Sequence, residues 1–309
     1  MIQDNSLVKK ILELPVIFDI IISDFGREAT NRYLKLIELK EKNIISKILK
    51  KNSRVFYDEY RRIMYTVIAD LNYFKNAEIL KATQENGFIS DEILIGLGNT
   101  QISNVFFERV TFSVIHNVNL AILHGHNTIR ITIPCNSLSF VTESILKILK
   151  DEDQLGKFIN KYNIEKSAKD AILNCNIFGR TVPKAVLSYI SDKNKNNKKL
   201  NLIILGVKEA NIYYKKLAKE FNINILSLKK SEYEIIELAV IASINGELQD
   251  LKRIRKLLQD IIIQPRKEKY ENIVVIEACT DFTFGIGKNS LTCFADVMVR
   301  ECYFNSVIL

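Results

Sequence analysis

The chain runs to 309 residues, 47% of them hydrophobic, and 44 lysines and arginines stand against 36 acids for a net charge of +8. That length supports one to three domains, and that composition excludes a disordered or fibrous chain. No apolar run reaches the roughly 18 residues of a membrane span. The longest early run, "LPVIFDIIISDF", is broken by Asp19 and lacks a small-residue cleavage site. A cytoplasmic protein without a membrane partner is expected.

Residues 1–88 read as a helical N-terminal extension. "GREATNRYLKLIELKEKNIISKIL" contains no proline and has a start signal at Ser23 or Asp24. "YDEYRRIMYTVIADLNYF" sets Met64, Val67, Ile68, Leu71 and Phe74 on one helical face. A packing or dimerisation module fits this pattern better than a helix–turn–helix DNA reader, which would need a basic recognition helix.

The character changes at Asp91. "DEILIGLGNTQ" reads as a short strand ending in the turn Gly96 to Gly98, and a helix follows with Ile102, Phe106, Val110, Val114, Val118 and Ile122 at four-residue spacing. The β-branched residues of that stripe leave a strand around 112–115 open. Next come the strand "TIRITIP", then Cys135, then a helix from about Thr142. Strand and helix alternate, which is the signature of a parallel sheet with its working loops at the carboxyl ends of the strands.

The alternation continues through the strand "KLNLIILG", the helix "EANIYYKKLAKEF" with Tyr213 or Tyr214, Leu217 and Phe221 inward, and the strand "NINILSL". Two helices, the strand "ENIVVIEAC" and a final helix "SLTCFADVMVRECYF" complete the chain. The expected fold is α/β, with two Rossmann-like parallel-sheet lobes and the active site between them. The expected division is residues 1–88 as the extension, 89–170 plus 290–309 as the first lobe, and 171–289 as the second. The densest basic run, residues 192–200, contains no aromatic residue and reads as a solvated linker, not a nucleic-acid contact.

The five cysteines, Cys135, Cys175, Cys279, Cys293 and Cys302, form no C-x-x-C pair, so neither a disulfide framework nor a zinc site is indicated. "HGHN" offers His124 and His126 but no third ligand nearby, and Gly125 reads as a helix stop. Cys135 and Cys279 stand apart from the other three. Each terminates an apolar strand, and each is followed by polar residues, Asn136 and Ser137 after one and Thr280 and Asp281 after the other. Backbone N–H groups at such strand ends suit an anion and lower a thiol's pKa. Two thiols across a cleft suit proton removal and return on opposite faces of a carbon beside a carboxylate. Preorganised donors must steady the developing charge, and Asn136, Ser137 and Thr280 are the candidates. Cys175, Cys293 and Cys302 read as packing residues.

"IGLGNTQISNVFFERV", "IPCNSLS" and "VVIEACTDF" resemble, in order, three motifs of the aspartate/glutamate racemase superfamily. The resemblance covers roughly residues 91–309. It implies Cys135 and Cys279 as paired catalytic cysteines. It implies Asn136, Ser137, Thr280, Asp281 and the loop Gly98, Asn99, Thr100 as substrate-binding residues. No cofactor is implied. The substrate would be a small amino acid or other small carboxylate, aspartate or glutamate first, and the assembly a homodimer.

The chain departs from the family pattern in three places. Only 28 positions separate Phe107 from Cys135, where the family fits a further strand and helix. The helical residues 1–88 would then cover that sheet edge. "LGVKEAN" places Lys208 and Glu209 where the family has a Thr-x-Gly-Thr loop, and Ser139 stands where a histidine often follows the first cysteine motif. An isomerase, lyase or decarboxylase using a single cysteine, and a non-catalytic binding protein, therefore stay open beside the racemase.

Overall fold

A computed structural model describes residues 12–23, 27–48, 60–68, 104–136, 139, 141–194, 199–244, 248–278 and 285–303. The first half opens with strand β1 (Ile17–Ile22), helix α1 (Arg27–Ile48), strand β2 (Ile63–Ile68), helix α2 (Asn104–Leu123) and strand β3 (Thr128–Thr132). Helices α3 (Val141–Lys150), α4 (Glu152–Lys161) and α5 (Ser167–Asn174), strand β4 (Asn176–Gly179) and helix α6 (Val182–Lys193) follow. The second half contains β5 (Leu200–Leu205), α7 (Lys208–Ala218), β6 (Ile223–Ile225), α8 (Lys230–Ile244) and α9 (Leu248–Leu257). A π-helical turn, Leu258–Ile263, leads into α10 (Gln264–Lys269), and β7 (Ile273–Glu277), β8 (Lys288–Asn289) and α11 (Ser290–Tyr303) complete the described chain.

Two four-stranded, all-parallel sheets result, in the orders β2-β1-β3-β4 and β6-β5-β7-β8. Parallel sheets carry helices on both faces, so their strands read as near-continuous apolar runs. "LNLIIL" and "IVVIE" behave in this way, with Leu202, Ile203, Ile204, Leu205 and Ile276 fully buried. One face of the first sheet packs Ile20, Ile22, Ile129, Ile131 and Ile133 against α2 and α3. Val110, Val114 and Val118 of the expected stripe on α2 are fully buried in that cluster. The other face sends Ile17 and Ile21 into a core shared with α1, α6, α11, β5 and Tyr214 of α7. One apolar core thus joins the two halves.

Buried charge lies inside that shared core. Arg130 Nη2 donates to Asp19 Oδ2 at 2.8 Å, and Thr132 Oγ1 donates to Asp19 Oδ1 at 2.6 Å. The Tyr33 hydroxyl also reaches Asp19, and Arg130 Nη1 donates to the Met298 carbonyl of α11 at 3.0 Å. Arg130 and Asp19 are 0% and 1% exposed, which is tolerable only because every charged group has partners. Nearby, Glu41 Oε1 accepts from the backbone N–H of Arg62 and Ile63 and from the Tyr303 hydroxyl.

These contacts correct the expected domain plan. The described part of residues 1–88 holds one long helix, but its two strands are a central strand and an end strand of the first sheet. It is built into the first lobe and does not precede it. The run with Met64, Val67 and Ile68 is β2, in register with β1 from Ile17 opposite Ile63 to Ile22 opposite Ile68. A six-residue apolar run carries too little periodicity to separate strand from helix. Pairing along β1 decides the matter for these β-branched residues. β1 itself lay in the run that Asp19 interrupts, and the Arg130 guanidinium is what admits that carboxylate to a strand interior. The boundary expected at residue 170 also moves, because β4 pairs with β3 and carries the first sheet to Gly179. The strand read at 91–96 lies outside the described residues.

Candidate functional site

β3 runs out at Thr132 into buried Ile133 and Pro134, then half-buried Cys135. Cys135 N donates to the Ile133 carbonyl at 2.8 Å, and the Cys135 carbonyl accepts from Ser139 N at 3.1 Å. Thr142 N then donates to the Ser139 carbonyl at 3.1 Å, so consecutive turns carry the chain into α3. Ser139, fully buried, fixes this turn from the far side, since its hydroxyl accepts from Val182 N in the first turn of α6. The positive end of the α3 dipole therefore lies at the Cys135 turn, a field that favours an anion there.

Asn136 is 2% exposed, and its amide is engaged across the molecule. Nδ2 donates to Ser290 Oγ at 2.9 Å, and Oδ1 accepts from the Tyr214 hydroxyl at 2.9 Å. Tyr214 belongs to α7 of the second half, and Ser290 opens α11. The adjacent Tyr213 hydroxyl donates to Glu143 of α3 at 3.0 Å. Burial raises both phenols well above their ordinary range, so they remain donors. The carboxyl end of β3 is thereby pinned to the second half.

In the second half, β5 and β7 are neighbours, with Leu205 opposite Glu277. Ala278 N donates to the Leu205 carbonyl at 2.8 Å, which extends the pairing to the residue before Cys279. The buried Glu277 carboxylate accepts from the N–H groups of Ile286 and Gly287 and so ties the two ends of the following loop. Gly206 leaves no room for a side chain, since a Cβ there would stand 2.9 Å from that of Ala278. Asn211 then braces the β5–α7 turn with its amide on the carbonyls of Ile204 and Gly206. Exposed Lys208 is the first residue of α7 and places a cation at the carboxyl end of β5.

The other described cysteines differ from Cys135 in setting. Burial pushes the Cys293 thiol up to about 11 and the Cys302 thiol up to about 12. Burial also raises the Cys175 thiol, which donates to the Asn127 carbonyl between α5 and β4. These thiols hold their protons, in keeping with a packing role.

Of the nine residues expected at the site, Cys135 and Asn136 are described. Ser137, Cys279, Thr280, Asp281 and the loop Gly98, Asn99, Thr100 lie outside the described residues. The Asn136 side chain joins the halves. Tyr214 and Ser290, its partners, were not anticipated. Sequence offered no sign of them, because they lie 78 and 154 positions away. β1 is the immediate neighbour of β3, so buried Ser23 and Cys135 both follow the carboxyl ends of adjacent strands. Among the described residues, no group of three or more His, Cys, Asp or Glu is placed to hold a metal ion, and no helix is long and apolar enough to cross a membrane.

No protein-family model and no curated protein sequence matches the chain. Solved structures do. An aspartate racemase homologue from Pyrococcus horikoshii OT3 superposes with a TM-score of 0.53 at 15% identity, over 93% of this chain and 99% of that one. A protein from Yersinia pestis proposed to be an Asp/Glu racemase gives a TM-score of 0.53 at 12% identity, over 93% and 98%. The chain shares the two-lobe α/β fold of these two proteins.

Proposed function

We propose that the chain is a cofactor-independent racemase or epimerase of a small amino acid, aspartate or glutamate first, with Cys135 and Cys279 as its acid/base pair. One observation carries the reading. The Cys135 turn is pinned through Asn136 to Tyr214 and Ser290 of the other half, whose strand β7 leads directly into Cys279. The thiolate of one cysteine takes the α-proton, and the electron pair delocalises into the substrate carboxylate. The opposing thiol then returns a proton to the other face and is left as the thiolate. Sulfur atoms about 7–9 Å apart would leave room for one tetrahedral carbon between them.

Since the Asn136 amide is engaged, the reading assigns the α-carboxylate to turn N–H groups and to Ser137 and Thr280. Lys208 supplies a cation for a second carboxylate, which favours an acidic substrate over a neutral one. The test is a panel of amino acids assayed by chiral chromatography in deuterium oxide. Racemisation of aspartate or glutamate with α-deuterium incorporation is expected, and Cys135→Ala and Cys279→Ala should each abolish it. Racemisation that survives in Cys135→Ala would overturn the two-thiol mechanism.

The replacement of the family's second-lobe loop by "LGVKEAN" favours one other reading, a lyase or decarboxylase that uses a single cysteine on another carboxylate. A panel in which no amino acid racemises, with one cysteine labelled by a carboxylate substrate, would select it.

A further inference from the structure

Three cations converge on one aromatic ring. Lys193 Nζ, Lys288 Nζ and the Arg300 guanidinium carbon each lie 5.8 Å from the centre of the Tyr189 ring. They come from three elements, α6, β8 and α11. Because they share one ring, no two of them are more than about 12 Å apart. A fourth cation, Lys40 of α1, reaches Asp296 Oδ1 at 3.2 Å, and Arg300 Nε stands 2.9 Å from Asp296 Oδ2.

Charge does not balance in this cluster. Asp296 is shared by Lys40 and Arg300, whereas Lys193 and Lys288 have no carboxylate partner among the described residues. Glu301, next to Arg300, is taken by Arg180, and Asp192 makes no ion pair with these cations. Among the described residues, the ring thus gathers three cations, of which Arg300 has a carboxylate partner, Asp296, shared with Lys40. Like charges this close repel one another. The negative face of the ring offsets part of that repulsion and holds the cations together. Tyr189 is half-buried against the shared core, so the ring is a fixed support and not a wandering side chain. The aromatic missing from the basic run 192–200 is therefore supplied one helical turn earlier and joined by cations remote in sequence.

We propose that the Tyr189 cluster is an anion-binding site for a small ligand with two or more phosphoryl groups. Three cations on one ring, two of them with no carboxylate partner among the described residues, match that class better than a single carboxylate does. The proposal does not depend on the racemase reading. The site adjoins the seam in the chain, since Lys288 precedes Ser290 by two residues.

The test is a titration of the full chain with pyrophosphate in 100 mM salt, read by calorimetry and by amide shifts of Lys193, Lys288 and Arg300. Saturable binding at sub-millimolar concentration is expected. Lys193→Glu and Lys288→Glu should each weaken it by about tenfold or more. Lys216→Glu, an exposed lysine on α7, should leave it unchanged. Tyr189→Leu keeps the packing volume and should also weaken binding, because the ring no longer gathers the cations. Binding no tighter than that of succinate, or an equal loss in Lys216→Glu, would overturn the proposal, since either would reduce it to diffuse surface charge.

Discussion

On the two central strands of the first sheet, Asp19 stands opposite Arg130. On the matching strands of the second, β5 and β7, Leu202 stands opposite Val274. The sheets have the same strand order and parallel sense, yet one holds a charged pair where the other holds aliphatic side chains. Fully buried Leu202 contributes about 1.5–3 kcal/mol, and partly buried Val274 less. A buried ion pair roughly breaks even against its desolvation. The first sheet therefore gains little net stability from Asp19 and Arg130. It gains definition, because a one-residue slip of β1 along β3 would turn the carboxylate away from Arg130, Tyr33 and Thr132 to the opposite face. The apolar second sheet carries no such register mark in its central pair.

The comparison can be broken most severely at Arg130. Arg130→Met leaves Asp19 buried without its counter-charge, and urea unfolding should show a loss of about 3–5 kcal/mol. Adding Asp19→Leu should recover only part of that loss, because the Tyr33 and Thr132 hydroxyls then lack an acceptor. Glu41→Ala should cost less, about 2–3 kcal/mol by the same measurement, since it takes the acceptor from the Ile63 N–H and one of two partners from the Arg62 N–H and the Tyr303 hydroxyl. The smallest effect is expected at the border between the halves. Tyr214→Phe removes one bond to Asn136 and should cost about 1 kcal/mol. It should also make Cys135 react faster with iodoacetamide, read by peptide mass spectrometry against Cys175 as the internal standard.

The sequence was most legible where long periodic runs met clear stops. The helical stripe through Val110, Val114 and Val118, the strands β5 and β7, and α11 all follow from spacing alone. Cys135 was legible as a strand-end thiol because Pro134 halts a β-branched run. Three things were not legible. Asp19 reads as a break in an apolar run until Arg130, 111 positions later, is seen beside it. β4 spans four residues after Cys175, too few for any period to show. The two partners of the Asn136 amide across the seam lie 78 and 154 positions away. In each case the deciding partner is distant in the chain, and local pattern carries no record of it.

The last described helix has a consequence for the order of assembly. α11 supplies the Met298 carbonyl that Arg130 needs and the Tyr303 hydroxyl that Glu41 needs, across 168 and 262 positions of chain. Strands β1, β2 and β3 leave the ribosome long before those groups exist. Until translation reaches α11, Arg130 lacks its carbonyl acceptor and Glu41 its hydroxyl donor, although Asp19 and the Arg62 and Ile63 N–H groups are already in place. Its final closure is thereby postponed to the end of synthesis, however early its strands emerge.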